Sequence, residues 1–170
     1  MTTATTQTSY EPVAGWGKLP MGVTFRGDAT SIAVDSKDNV YVFNRGTEPI
    51  AVFDTDGNFM RGMGHGEFVR PHGIEIDGDD NLYLVDDDGH IVQKRTNDGE
   101  VVFTIGTKGE PCEWQSGGIF NRPTDVAIHP VTGELFVSDG YGNSRIHKFD
   151  PDGNHIEIGT YLPVRPLEAP

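Results

Sequence analysis

Apolar residues along this chain come in bursts of 4 to 6, bounded by turn residues, and the bursts repeat. Asn39-Val40-Tyr41-Val42-Phe43, Asn81-Leu82-Tyr83-Leu84-Val85 and Glu134-Leu135-Phe136-Val137-Ser138 are three versions of one strand. Each follows a shorter apolar run: Ile32-Ala33-Val34-Asp35, Ile74-Glu75-Ile76-Asp77 and Val126-Ala127-Ile128-His129. Each is followed, further on, by an Asp-Gly turn: Asp56-Gly57, Asp98-Gly99 and Asp152-Gly153. Ile32 and Ile74 are 42 residues apart, as are Gly57 and Gly99, whereas Ile74 and Val126 are 52 apart, the excess falling in 106–120. Bursts this short and rich in Val, Ile, Phe and Tyr predict strands, not helices. Four are expected per repeat: 32–35, 40–44, 50–54 and 58–61; then 74–77, 82–86, 91–95 and 101–105; then 126–129, 135–139, 145–150 and 155–158. An all-β repeat of this period is the signature of a β-propeller blade.

The expected organisation is an N-terminal segment 1–20, three blades at about 24–66, 67–118 and 119–160, and a Pro-rich tail 161–170. Gly15-Trp16-Gly17 is expected to pair as an outer strand or to pack at a blade edge, and the Gly-rich stretch 106–118 to be a long surface loop. In a four-stranded meander, alternate connections lie at opposite ends of the strands. The hairpins between strands one and two, and between three and four, are plain turns; Asp-Gly is the strongest short hairpin signal. The other end collects the unusual polar residues: Asn44-Arg45-Gly46, Asp86-Asp87-Asp88-Gly89, Asp139-Gly140-Tyr141-Gly142-Asn143, and the lead-in segments Arg70-Pro71-His72-Gly73 and Arg122-Pro123-Thr124-Asp125. Loops of that kind on one end of a rigid scaffold are where binding concentrates. Arg45, His72 and Tyr141 are therefore expected around one axial cavity.

Charge and composition narrow the function. A net charge of −13 argues against nucleic acid, whose phosphates select basic patches. Mean hydropathy of −0.42 and the lack of a long apolar run argue against a membrane span. Met1 to Pro12 has neither a basic start nor an apolar core, so no secretory signal is read there, and the single cysteine, Cys112, excludes an intrachain disulfide. A cytoplasmic location is the expectation, with Cys112 inert. Asp77-Gly78-Asp79-Asp80-Asn81 is not an EF-hand, because Leu82 stands where the loop needs glycine and Asp88 where it needs glutamate. Gly62-Met63-Gly64-His65-Gly66 lacks the strand-then-helix context of a nucleotide loop, and His65, His90, His129, His147 and His155 default to surface or structural roles.

Two strings are more specific. Phe120-Asn121-Arg122-Pro123-Thr124-Asp125-Val126-Ala127 and Phe136-Val137-Ser138-Asp139-Gly140-Tyr141-Gly142-Asn143-Ser144-Arg145-Ile146 closely resemble the NHL-repeat family, and within it the peptidyl-α-hydroxyglycine α-amidating lyases. Ile32 to Asp35 running to Phe43-Asn44-Arg45-Gly46, and Arg70 to Ile74, fit the same pattern, so the resemblance covers roughly 30–155. It implies a six-bladed propeller, of which this chain would be half. It also implies an enzyme that splits a peptidyl-α-hydroxyglycine into a peptide amide and glyoxylate.

By motif, Tyr141 falls at the family's catalytic base and Arg45 at the arginine facing the substrate. His72 falls at one of three zinc histidines, and the main-chain carbonyls of Ile32 and Ile74 at a structural calcium. The family's other zinc histidines, second active-site arginine and calcium aspartate belong to blades four to six and have no counterpart here, and 159–170 does not resemble the expected continuation. A cysteine pair of secreted animal members would fall at Asn121 and Gly142. The resemblance thus implies a partial lyase site for a small peptide-like substrate, completed by missing blades or by a homodimer that closes a six-bladed ring. The alternatives are a propeller that binds peptides or proteins without chemistry, and a truncated product.

Overall fold

A computed structural model describes residues 9–160, and within them regular structure is β throughout. Blade one is β1 (Ala29–Val34), β2 (Val40–Asn44), β3 (Ile50–Phe53) and β4 (Phe59–Met63). Blade two is β5 (Pro71–Ile76), β6 (Leu82–Asp86), β7 (Ile91–Arg95) and β8 (Val101–Ile105). Blade three is β9 (Asp125–Ile128), β10 (Leu135–Asp139), β11 (Arg145–Phe149) and β12 (His155–Thr160). Each blade is an antiparallel meander with its strands in chain order. The first strands converge, β1 packing on β5 and β5 on β9, so they mark the axis from which the blades radiate. The all-β propeller expected from the repeat is the fold observed.

Residues of opposite parity on each strand face opposite neighbours. Tyr41, Phe43, Ile50 and Val52 of blade one meet Ile74, Leu82 and Leu84 of blade two in one buried cluster. Tyr83, Val85, Val92 and Ile105, on blade two's other side, meet Val126, Leu135, Val137 and Phe149 of blade three, with Phe120 from the lead-in loop. Both faces of blade two are thus covered, which is why β6 reads as an unbroken apolar run. At about 25 cal/mol per Å² of apolar surface removed from water, these two seams are the main favourable term in the fold.

The outer side of blade one is covered too. Val42, Ala51 and Phe53 pack there against Trp16 and Phe25. Trp16 donates its indole N–H to the Thr55 carbonyl (3.1 Å), and Lys18 makes a parallel bridge to Asn58, its N–H reaching the Gly57 carbonyl at 2.9 Å. Gly57 has φ of +78°, and a Cβ there would sit 1.8 Å from the Trp16 carbonyl oxygen, so the close approach requires glycine. The segment 15–18 therefore runs along blade one's outer edge.

The hairpins share one device that periodicity does not reveal. Asp35, Asp54, Asp77 and Asp150 each accept the backbone N–H groups two and four residues on, and each takes the side-chain amide of the Asn at the fourth position. For Asp35 and Asp77, burial alone would raise the carboxyl pKa, but the hydrogen bonds from Asn39 and Asn81 outweigh it and hold both below the usual value. Where the pattern fails, other groups substitute: the His129 Nδ1 accepts from the N–H groups of Val131 and Thr132 at 3.3 and 3.1 Å.

Candidate functional site

The site is built on the end of the blades that carries the non-turn loops. At the end of each second strand stands a fully buried polar residue, Asn44, Asp86 or Asp139. Asp86 accepts the N–H groups of Val69 and Arg70 at 2.8 and 2.7 Å, and Asp139 accepts that of Asn121 at 3.0 Å. These carboxylates hold the lead-in segments against the scaffold just before His72 and Arg122. A buried carboxylate without such donors would be costly. His72 differs from expectation in one respect: it lies inside β5, which begins at Pro71, rather than in the connection. A register shift between Pro71 and Ile74 accommodates it.

His72 and Tyr141, 69 residues apart in sequence, meet: the His72 Nε2 lies 3.3 Å from the Tyr141 hydroxyl, and the rings are edge to face. The Tyr141 ring is half exposed and the Arg122 guanidinium sits 4.6 Å from its centroid, a cation over a π face. Arg122 is in turn bound bidentately by Asp87, Nε at 2.7 Å and Nη2 at 3.1 Å, and Asp87 is fully buried. Asp87 also pairs with Arg70 at 3.2 Å, so one buried carboxylate joins two lead-in arginines. Hydrogen bonds to the Asp87 carboxylate raise the Arg122 pKa further. Arg122 has φ of +67°, a left-handed conformation that a non-glycine residue adopts at a cost of roughly 1–3 kcal/mol. Its N–H donates to His90 Nδ1 at 3.2 Å, which fixes the turn.

Arg45 is the neighbour of this group. Its Nε donates to the Pro71 carbonyl at 3.2 Å, and its Nη1 pairs with Asp28 at 3.1 Å. The structure thus brings Arg45, His72 and Tyr141 onto one face, with direct contact only between His72 and Tyr141. Ile32 and Ile74 occupy the adjacent inner strands β1 and β5, Ile32 largely exposed and Ile74 buried. Sequence reasoning puts Arg122 and Asp87 on this loop end but assigns neither a role. The signal was present as the repeated Arg-Pro of the lead-ins opposite the run Asp86-Asp87-Asp88, but it was one polar cluster among several.

The donor set tests the expected metals. A catalytic zinc site generally has three protein ligands. Among the described residues no three His, Cys, Asp or Glu side chains converge on such a point. His72 by itself does not fit a zinc centre.

Known proteins agree with the fold and the repeat. A family model described as a 6-bladed beta-propeller matches residues 29–106, and the NHL repeat model matches 120–149. The chain is 34% identical over 158 residues to mouse peptidyl-glycine alpha-amidating monooxygenase, covering 76% of this chain and 16% of that protein. It is 39% identical over 106 residues to a probable peptidyl-alpha-hydroxyglycine alpha-amidating lyase of Caenorhabditis elegans, covering 62% of this chain and 29% of the relative. Human NHL repeat-containing protein 3 is 30% identical over 155 residues, with 84% and 44% covered. The chain therefore spans less than half the length of each. Among solved structures, virginiamycin B lyase from Staphylococcus aureus superposes with a TM-score of 0.58 at 18% identity, covering 78% of this chain and 41% of that one. A chain of a nidogen/laminin complex gives 0.60 at 19%, covering 77% and 48%. These two bear on the fold alone. Repeat models, relatives and blade architecture together place the chain among the NHL-repeat β-propellers, similar to the peptidyl-α-hydroxyglycine α-amidating lyases.

Proposed function

We propose that the loop face is part of an amidating-lyase-type site for a small peptide-like substrate ending in α-hydroxyglycine. The observation that carries the reading is the Tyr141 hydroxyl set against His72 Nε2 at 3.3 Å beneath the Arg122 guanidinium. A phenol so placed can pass its proton to the imidazole. The phenolate takes the substrate hydroxyl proton, the O–H electrons form the aldehyde C=O, and the C–N bond breaks. The amide nitrogen takes up a proton, giving peptide amide and glyoxylate. Arg45 supports carboxylate recognition, for which a guanidinium fork is suited, although the carboxylate would have to compete with Asp28.

Metals enter the same reading as proposals. Zinc at His72 would take its further ligands from groups outside the described residues, and would supply Lewis acidity at the substrate oxygen. Calcium at the carbonyls of Ile32 and Ile74 would find two of the six to eight oxygens it needs. The site in this chain is accordingly partial: it binds substrate and turns over little or not at all. The test measures glyoxylate release and binding of an α-hydroxyglycine peptide, with zinc added, for the intact chain, His72→Ala and Tyr141→Phe. Weak binding that falls at least tenfold in both variants supports the proposal. Binding indifferent to both variants removes it, and rapid release lost in both shows the site to be complete in one chain.

A further inference from the structure

Blade three holds a second cluster, distinct from the loop-face residues. His147 on β11 is fully buried, perpendicular to Phe120 at 5.5 Å between ring centroids and beside Phe149 at 6.1 Å. Its Nε2 lies 3.3 Å from Oδ2 of Asp139, itself fully buried. That carboxylate accepts the N–H of Asn121 and the side-chain amide of Asn143. The Nε2 atom of His147 faces this acceptor, so its Nδ1 faces away from Asp139. Nδ1 lies 3.5 Å from Nε2 of His155 on the neighbouring strand β12. The register shift on β11 between Lys148 and Phe149 pairs His155 with Phe149, which brings the two imidazoles to the same side of the sheet. His155 lines a cleft of about 360 Å³ together with Thr104, Thr107, Ile119 and Phe149, between blades two and three.

We propose that His147 and His155 form a binding site for a divalent transition metal of the zinc or copper class, with Asp139 as the positioning carboxylate and water from the cleft completing the shell. Two nitrogens 3.5 Å apart, each ~2.05 Å from a common ion, subtend about 117° at it, near the tetrahedral angle that zinc adopts. A carboxylate on the far nitrogen of a ligating histidine is the usual way to fix its tautomer and raise its basicity. Imidazole is a good ligand for both metals.

The experiment titrates the full 170-residue chain with Zn²⁺ by calorimetry and with Co²⁺ by visible absorption, in a His72→Ala background that removes the loop-face imidazole. One saturable site and a tetrahedral cobalt band are expected, with affinity falling at least tenfold in His155→Phe. Thermal melts provide a second reading: Zn²⁺ raises the Tm of the parent and leaves that of His155→Phe unmoved. His155 lies at the cleft, so its variant keeps the buried packing around His147. Absence of a saturable site tighter than ~1 mM overturns the proposal, as does binding that His155→Phe leaves unchanged. Because His72 is absent throughout, the result is independent of the lyase reading.

Discussion

Arg122 organises the loop face from a backbone conformation that arginine rarely adopts, and it is held there by Asp87. Asp88 also pairs with both arginines, Arg122 at 3.0 Å and Arg70 at 3.8 Å, and each guanidinium is partly exposed. Asp87→Ala is expected to lower stability in urea by about 1.5–3 kcal/mol, because Arg122 loses a bidentate partner and Arg70 an ion pair while Asp88 still holds both. Arg122→Ala leaves the buried Asp87 with Arg70 as its remaining cation and takes the cation from over the Tyr141 ring, so it acts on stability and on the site together. Another prediction concerns the two positions where animal relatives of this type would carry cysteines. Asn121 and Gly142 are in contact: a Cβ on Gly142 would meet the Asn121 Oδ1 at 2.1 Å, and the Gly142 N–H donates to the Asn121 carbonyl at 2.9 Å. In a Cys112→Ser background, Asn121→Cys with Gly142→Cys should oxidise to a disulfide, seen as a two-dalton mass loss. It should stabilise the chain by about 3 kcal/mol for a loop of roughly 20 residues. Mass unchanged under oxidising conditions would show that the two side chains do not face each other. Strand parity alone places His72 and Tyr141 on the loop face, whereas their chemical roles come only from the resemblance. Arg122 and Asp87 were not singled out, because a pairing across 35 residues exists only once blades two and three are set in register.

Strands and hairpins were the most legible level. All twelve strands follow from apolar runs between turn residues, because β2 and β6 are buried along most of their length and β10 alternates. Their ends were less so: β1 and β5 start three residues earlier than the apolar pattern does, since Ala29 and Pro71 pair through an irregular register that carries no hydrophobic signal. The Asp-x-x-x-Asn device was also missed, although its spacing stands in the sequence five times and serves a hairpin in four of them, the fifth being Asp139 and Asn143. It has a pH consequence. Asp35 and Asp77 titrate in the folded chain below their ordinary value of 3.8. The stabilisation they give is therefore present in full above that value and is lost as pH falls through the folded pKa values. Asp77→Asn is expected to cost about 1–2 kcal/mol at neutral pH, as for hydrogen bonds to a charged acceptor, and to flatten the fall in Tm between pH 5 and 2. A Tm that falls with acid equally in parent and variant would assign the loss to other carboxylates.

At the scale of the whole molecule, the two outer blade faces differ. Blade one's is covered by Trp16 and Phe25, half-buried against Phe53 with ring centroids at 5.7 and 6.3 Å. Blade three's, among the described residues, presents Phe136 beside Lys148, which pairs with Glu134 at 2.9 Å. The repeat alone suggested two uncovered faces. Gly15-Trp16-Gly17, expected at a blade edge, belongs to the upstream segment that covers one of them. Trp16→Ala should cost about 2 kcal/mol, below the full value for a buried aromatic, and should expose Phe53 to solvent. If urea melts show no loss, the segment is not holding blade one. A second copy closing a six-bladed ring would need both faces, and would have to displace Trp16 and Phe25 to obtain blade one's. Equilibrium sedimentation of the parent beside Trp16→Ala with Phe25→Ala measures that competition, and ring closure predicts the stronger association in the variant. Repeats that show a matching face on either side can string together head to tail without end, the geometry of a fibre. Here the chain's own upstream segment acts as a stopper on one side. While it is seated, another copy can reach blade one's face only by displacing Trp16 and Phe25, so head-to-tail growth through that face is blocked.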